Sequence, residues 1–181
     1  MTVKVIVTGA FSTGKTTLVN ALVPALSGRG LSVVLLDDVS RSCPFPLNEG
    51  QTDEASAWLA TTQVSREIDA AAAAPDVIMC DRGVPDILAH QEDLRASGRG
   101  GLLETMRPFL ERWCGTYAVV LASRVDPAIP PEEDELRLAD PAYRERLAEC
   151  AQIVLARFAE PVWLRHAPAD RLAQALEAIR A

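Results

Sequence analysis

Lysine is nearly missing from this chain. Of its 18 basic residues only Lys4 and Lys15 are lysines, and histidine occurs twice, at His90 and His166. Against 25 acidic residues the net charge is −7, so a nucleic-acid groove is not expected, because phosphate contacts need clustered Lys and Arg. Cys43, Cys80, Cys114 and Cys150 are widely spaced with no C-x-x-C pair. A zinc site is therefore not expected, and reduced structural thiols are. No apolar run reaches the length of a membrane span, and the opening "MTVKVIVTGA" lacks a signal peptide's basic region and cleavage site. The expectation is a cytoplasmic protein with neither nucleic-acid nor membrane partners.

What is present is an ordinary globular composition, 49% hydrophobic and 24% charged in 181 residues, enough for one domain over 1–181. Short β-type runs alternate with helical ones. Strand patterns cover 3–9, 31–38, 76–81, 117–123 and 161–166. Helical patterns cover 14–28, 53–74, 85–94, 101–114, 140–158 and 168–180. Thr52 is placed to cap the second helix, and Asp140 the fifth, with Pro141 in its first turn. The stretch 39–51 carries two prolines and reads as loop. The polar, Pro-rich segment after Ser123 reads as a short lid, about 124–146. Alternating β and α elements imply an α/β fold, a parallel sheet with helices on both faces.

The remaining lysine, Lys15, sits in "GAFSTGKTTL" between an apolar strand pattern and a helix. Gly9, Gly14, Lys15 and Thr16 match G-x-x-x-x-G-K-[ST], the phosphate-binding P-loop. Backbone N–H groups from Gly9 through Ser12, Thr13 and Gly14 to Thr16 and Thr17 converge on phosphate oxygens at the helix start. Lys15 opposes the β- and γ-phosphates, and Thr16 offers a hydroxyl to Mg²⁺. The expected ligand is a nucleoside triphosphate.

Strand ends point toward the ligand crevice in such sheets. Asp81, closing "VIMCD", is placed to hold the metal; a plain turn or helix cap is the competing reading. Arg82 beside it can meet the acceptor or the transferring phosphate, or simply form a surface ion pair. Asp37 and Asp38 close the second strand, and a kinase needs a carboxylate at the acceptor hydroxyl. Adjacent residues of an extended chain face opposite ways, so one of the two is expected to serve, with Asp38 taken ahead of Asp37; a solvated strand end competes. Arg137 in the lid and Arg144 in the next helix can reach phosphates, with a solvated charged face as the alternative for Arg144. Arg41, Asn48 and Glu49 in the loop, and Gln63 on the helix after it, are suited to gripping a polar acceptor. His90 and His166 read as ordinary surface or loop residues.

No D-x-x-G switch occurs, and "SRVD" (123–126) lacks the asparagine that reads guanine, so a GTPase is not expected. No "LSGGQ" signature occurs either. A P-loop, an acid–Arg pair after the third strand and an Arg-bearing lid amount to kinase anatomy.

"GAFSTGKTTL", "NEGQTDEASAWLATTQVSREI" and "VIMCDRGVPDILAH" resemble the AAA-type ATP-binding family that groups with the nicotinamide riboside kinase domain of bifunctional NAD-biosynthesis regulators. More distantly, the pattern is similar to thymidylate and deoxyribonucleoside kinases. The resemblance implies a three-layer P-loop fold with strand order 2-3-1-4-5, ATP with Mg²⁺, and an acceptor between the second strand and the lid. It also implies Lys15 and Thr16 as phosphate and metal ligands, Asp81 as the third-strand acid and Arg137 as the lid arginine. The loop "PFPLNEG" departs from that pattern in carrying no signature of a particular nucleoside, so the identity of the acceptor is not implied. The expected function is an ATP- and Mg²⁺-dependent kinase acting on a nucleoside, nucleotide or similar small molecule; the alternative is a partner-coupled ATPase. Homodimer formation is left open by the sequence.

Overall fold

A computed structural model describes residues 2–99, 101–126 and 140–180, the side chains of Glu49 and Arg180 excepted. Strand β1 (Val3–Thr8) leads through the loop into helix α1 (Lys15–Ser27), and β2 (Val33–Leu36) follows. Helix α2 (Asp53–Ala72), strand β3 (Val77–Asp81), helices α3 (Val84–Ala96) and α4 (Leu102–Cys114) and strand β4 (Val119–Ala122) continue the alternation. Helix α5 (Pro141–Leu155), strand β5 (Val162–Trp163) and helix α6 (Pro168–Arg180) close it. The stretch 39–51 is not wholly irregular: Val39–Ser42 and Asn48–Gly50 form short 3₁₀ turns. The first is nucleated by Asp38, whose carboxylate accepts the Ser40 amide at 3.0 Å. Thr52 caps α2 by accepting the Ala55 amide, and Asp140 caps α5 by accepting that of Ala142.

All neighbouring strands are parallel, in the order β2-β3-β1-β4-β5. Side chains of a strand alternate between faces, and the core divides accordingly. Val5, Val7, Val77, Met79 and Leu121 meet Leu18, Leu22 and Leu26 of α1 and Ala175 of α6 on one face. Ile6, Ile78, Cys80, Val120 and Ala122 meet Ala70 of α2 and Leu155 of α5 on the other. A further cluster, with Leu59, Val64, Leu88, Leu103 and Leu110, knits α2, α3 and α4 together. Burial on both faces explains why the strands read as continuous apolar runs. The chain moves outward from β1 to β2 and later crosses to β4 on its other side, so the crevice at the C-terminal end of β1 is the switch point where such sheets take ligands.

Lys4, the other lysine, is structural. Its Nζ lies 2.7 Å from Glu67 Oε2, over the rings of Trp113 and Tyr117. The fully buried Glu67 carboxylate also accepts Trp113 Nε1 at 2.8 Å, Tyr117 Oη at 2.6 Å and Gln63 Nε2 at 2.8 Å. The Tyr117 hydroxyl oxygen accepts the Val84 amide at 3.1 Å, linking this network to the start of α3. Gln63 is thereby occupied inside the fold. Its amide serves Glu67 rather than an acceptor, because α2 turns that face toward the sheet. Among the described residues no helix is long and apolar enough to cross a membrane.

Four donors depend on one carboxylate, and removing it strands a buried cation with its companions. Glu67→Ala should cost about 3 kcal/mol or more in urea unfolding, and Glu67→Gln distinctly less. A loss below about 1 kcal/mol for the alanine variant would show that water replaces the carboxylate.

Candidate functional site

The phosphate loop begins where β1 and β4 lie side by side. Gly9 has φ 131°, and a Cβ there would stand 2.5 Å from the Ser123 carbonyl oxygen, so the position is closed to side chains. Gly14, at φ 73°, turns the chain into α1. Within the loop Thr13 Oγ1 donates to the Ala10 carbonyl at 2.8 Å. Lys15 Nζ donates to the same carbonyl at 2.5 Å and approaches Thr13 Oγ1 at 3.4 Å. Lys15 is 5% exposed. Burial, reinforced by the positive charge of Arg82, lowers its ammonium from 10.5 to about 7.

Arg171 of α6 braces the loop from outside. Its Nη1 donates to the Thr13 carbonyl at 2.8 Å and its Nη2 to Ser123 Oγ at 2.6 Å. This arginine is 158 residues from Thr13 in sequence, and no local pattern could have revealed it.

Thr16 Oγ1 donates to Asp81 Oδ2 at 2.7 Å. Thr16 is exposed and lines the cleft along the loop, and Asp81 is buried behind it, 5% exposed. Two hard oxygen donors meet here, with no cluster of three His, Cys, Asp or Glu among the described residues. Such a set fits Mg²⁺, which keeps waters and substrate phosphates in most of its shell, and does not fit an all-protein cation cage.

Two clefts adjoin the phosphate loop. The larger, about 1600 Å³ with its open mouth, runs along the loop and the start of α1 to Arg124, Asp126, His166 and Arg171. The second, narrower and about 730 Å³ only when its open mouth is included, lies between the 39–51 stretch and α3, with Phe11, Leu47, Leu59 and Ile87 as apolar wall. Arg41 and Asn48 line this second cleft. Asp38 and Arg82 line both. Their side chains are paired, Arg82 Nε to Asp38 Oδ2 at 2.9 Å. Burial alone would push the Asp38 carboxyl up, but the Arg82 guanidinium and the hydrogen bonds from Ser40 outweigh it and hold it below the usual carboxylate range. Asp38 is thus ionised at neutral pH.

Arg82 is also bound by Asp86, Nη1 to Oδ1 at 3.3 Å. Asp86 Oδ1 accepts the Gly9 amide at 3.3 Å, and Oδ2 accepts the Gly83 amide at 3.1 Å. This buried aspartate clamps the loop's first residue to the turn after β3. Sequence reasoning missed it, although "DRGVPD" places it four residues after Arg82, the spacing of neighbours on a helix. Arg82 has φ 72°, a left-handed conformation costing a non-glycine residue about 1 kcal/mol. Its amide, donating to the Val7 carbonyl at 3.0 Å, and the two carboxylates hold it there.

Other sequence-derived residues fall differently. Asp37 is exposed, and its carbonyl accepts Arg66 Nη1 at 2.9 Å. Arg144 is 3% exposed at the start of α5, so a solvated face is the wrong description of it; the helix turns Tyr143 and Arg144 inward and leaves Pro141 and Ala142 exposed. Arg137 and most of the proposed lid lie outside the described residues, as does the Glu49 side chain. His90 is no surface histidine: it stands on α3 in the wall of the second cleft. His166 is 58% exposed at the outer end of the larger one.

A family model described as an AAA domain matches residues 4–164. The chain belongs to that family. Two solved structures extend the comparison. The NadR protein in complex with NR superposes with a TM-score of 0.70 at 18% identity, over 99% of this chain and 50% of the other, so this chain spans about half its length. Deoxyadenosine kinase from M. mycoides, with products dCMP and a flexible dCDP bound, gives 0.72 at 11% identity over 98% of both chains. At these identities the likeness establishes the fold, a five-stranded P-loop fold of the nucleotide-binding kind. No curated protein matches the chain.

A polyphosphate favours the charged form of Lys15. Below about pH 7 the ammonium is already present; above it, each binding event must take up a proton. Triphosphate affinity should therefore fall by up to about tenfold between roughly pH 7.5 and 8.5, with proton uptake approaching one in calorimetry across buffers of different ionisation enthalpy. Absence of uptake would mean that Lys15 keeps its charge in the empty loop. Separately, Arg171→Met should weaken triphosphate binding about tenfold, since charge-assisted bonds to the loop are lost, and Arg171→Lys should recover part of it. Equal binding by all three proteins would remove Arg171 from the site.

Proposed function

We propose that this AAA-family chain is an ATP- and Mg²⁺-dependent kinase that transfers the γ-phosphoryl group to a nucleoside, nucleotide or similar small molecule. The observation that carries the reading is the position of Asp38: one ionised carboxylate forms a wall shared by the phosphate-loop cleft and a second, separate cleft. A phosphoryl acceptor must meet its donor at such a junction, in line with the leaving oxygen.

The loop amides and Lys15 hold the triphosphate, with Lys15 exchanging its internal contact to Ala10 for the β- and γ-phosphates. Thr16 and Asp81 would hold the Mg²⁺, which when bound supplies neutralising charge to the phosphate oxygens. Asp38 accepts a hydrogen bond from the acceptor hydroxyl and orients it toward the γ-phosphorus. As the acceptor oxygen bonds to that phosphorus, the bond to the β–γ bridging oxygen breaks and ADP departs. The hydroxyl proton passes to Asp38 and then to solvent. Arg82, at the junction, faces the charge that spreads over the transferring group. Catalysis on this reading is positioning and charge stabilisation, with no covalent intermediate on the protein.

ATP consumption with Mg²⁺, measured against pools of nucleosides, nucleoside monophosphates, nicotinamide riboside, sugars and amino alcohols, tests the proposal. One pool should raise turnover well above the acceptor-free rate, with a product heavier by one phosphoryl group. Bound ATP with a flat response across every pool would replace the kinase by a partner-coupled ATPase. Lys15→Ala should abolish triphosphate binding under both. Asp38→Asn should lower kcat about a hundredfold while leaving ATP affinity near that of the wild type; unchanged turnover would remove Asp38 from the reaction.

A further inference from the structure

The transfer scheme asks only Asp38 to face Arg82, yet a second carboxylate is built in beside it. Asp38 lines both clefts and Asp86 only the second. Asp86 belongs to the first turn of α3, where its Oδ2 accepts the Gly83 amide at 3.1 Å, so the helix start fixes the side chain. Oδ1 reaches across to the Gly9 amide at 3.3 Å, 77 residues away in sequence. Arg82 Nη1 donates to that same oxygen at 3.3 Å and to the Gly9 carbonyl at 3.4 Å. Gly9 thus has its amide on Asp86 and its carbonyl on Arg82. The three residues form one unit.

This unit takes the Gly9 amide away from the set that the sequence assigns to phosphate. It also separates the two carboxylates by task. The Asp86 side chain is 7% exposed, against 16% for Asp38. Burial raises the Asp86 carboxyl above its ordinary value while Arg82 and Lys15 pull the other way, so its contacts rather than solvent hold the charge. Asp38, in the transfer scheme, receives the acceptor's proton, and a neutral Asp38 holds a guanidinium weakly. That happens as charge spreads over the transferring group, when Arg82 is most needed in place. Asp86 has no part in that proton's path and keeps its bond.

We propose that Asp86 is a positioning residue: together with the Gly9 backbone it keeps Arg82 registered to the phosphate loop, independently of Asp38. Its hold on the loop stands on these contacts alone, and its value during transfer rests on the kinase reading.

Amide spectra of the full nitrogen-labelled protein test this, with Mg²⁺ and the β,γ-imido analogue of ATP as the probe. The amides of Ser12 to Thr17 should move on addition, and that of Gly9 should stay, its proton exchanging slowly in both states. A Gly9 amide that moves with the others would show that phosphate takes it from Asp86, and would overturn the proposal whether or not any variant folds. The side chain of Asp86→Asn can serve one backbone donor but turns an N–H toward the other or toward Arg82. That variant should displace the Gly9 resonance in the free protein and weaken the analogue about tenfold, while Asp38→Asn leaves both near wild type. Wild-type affinity in Asp86→Asn would equally overturn the proposal. ATP consumption on the same samples separates it from the kinase reading. Where an acceptor pool raises turnover, kcat of Asp86→Asn at saturating ATP should fall about tenfold. Transfer with an unchanged kcat would end the role of Asp86 and keep the kinase, whereas the expected binding changes without transfer to any pool keep Asp86 and end the kinase.

Discussion

The arrangement depends on the Arg82 guanidinium held between Asp38 and Asp86. That guanidinium ties the end of β2 to the distant turn after β3 and to the start of α3 that follows that turn. Through Asp86 and the Gly9 amide the tie extends to the phosphate loop. Because Arg82 sits in a left-handed conformation that its own backbone resists, the knot also holds strain, and the charges over-determine a geometry that local preference opposes. Loss of Arg82 would leave two carboxylates facing each other without their cation, whereas loss of either aspartate would leave a single ion pair.

A second brace comes from the opposite side. Arg171 reaches from the last helix to the Thr13 carbonyl, and Gly9 allows the loop to lie against Ser123 after β4. The loop is thus positioned by β1, β4, α3 and α6 together. Such a loop can present its amides with little reorganisation when an anion arrives, which is what makes backbone N–H groups effective against phosphate. The low pKa of Lys15 belongs to the same enclosure: excluding water weakens the free ammonium and makes its later contact with phosphate count for more.

The two lysines illustrate how alike residues acquire different work. Lys4 and Lys15 are the only compact ammonium groups in the chain. One is pinned by Glu67 beneath aromatic rings and holds helices to the sheet. The other lies in a glycine turn at a strand end. Through Tyr117 and the Val84 amide, however, the Lys4 network supports the start of the helix that carries Asp86 and His90, so the core under the sheet and the chemistry above it share a foundation.

The sequence by itself determined the alternation of elements, the loop and its lysine, the caps at Thr52 and Asp140, and the acid at the end of the third strand, because each is written in local spacing. Continuous apolar strands announced burial on both faces, and the resemblance supplied their order. Tertiary structure alone decided which of Asp37 and Asp38 faces the clefts, since alternation names two sides without saying which is inward. It withdrew Gln63 into the Glu67 network, buried Arg144 and brought His90 into the wall of a cleft. It also recruited Asp86 and Arg171, whose roles arise from distances between segments far apart along the chain. Patterns of a few residues record the local preferences of the backbone, whereas a site made from five segments exists only once the sheet has placed their ends together.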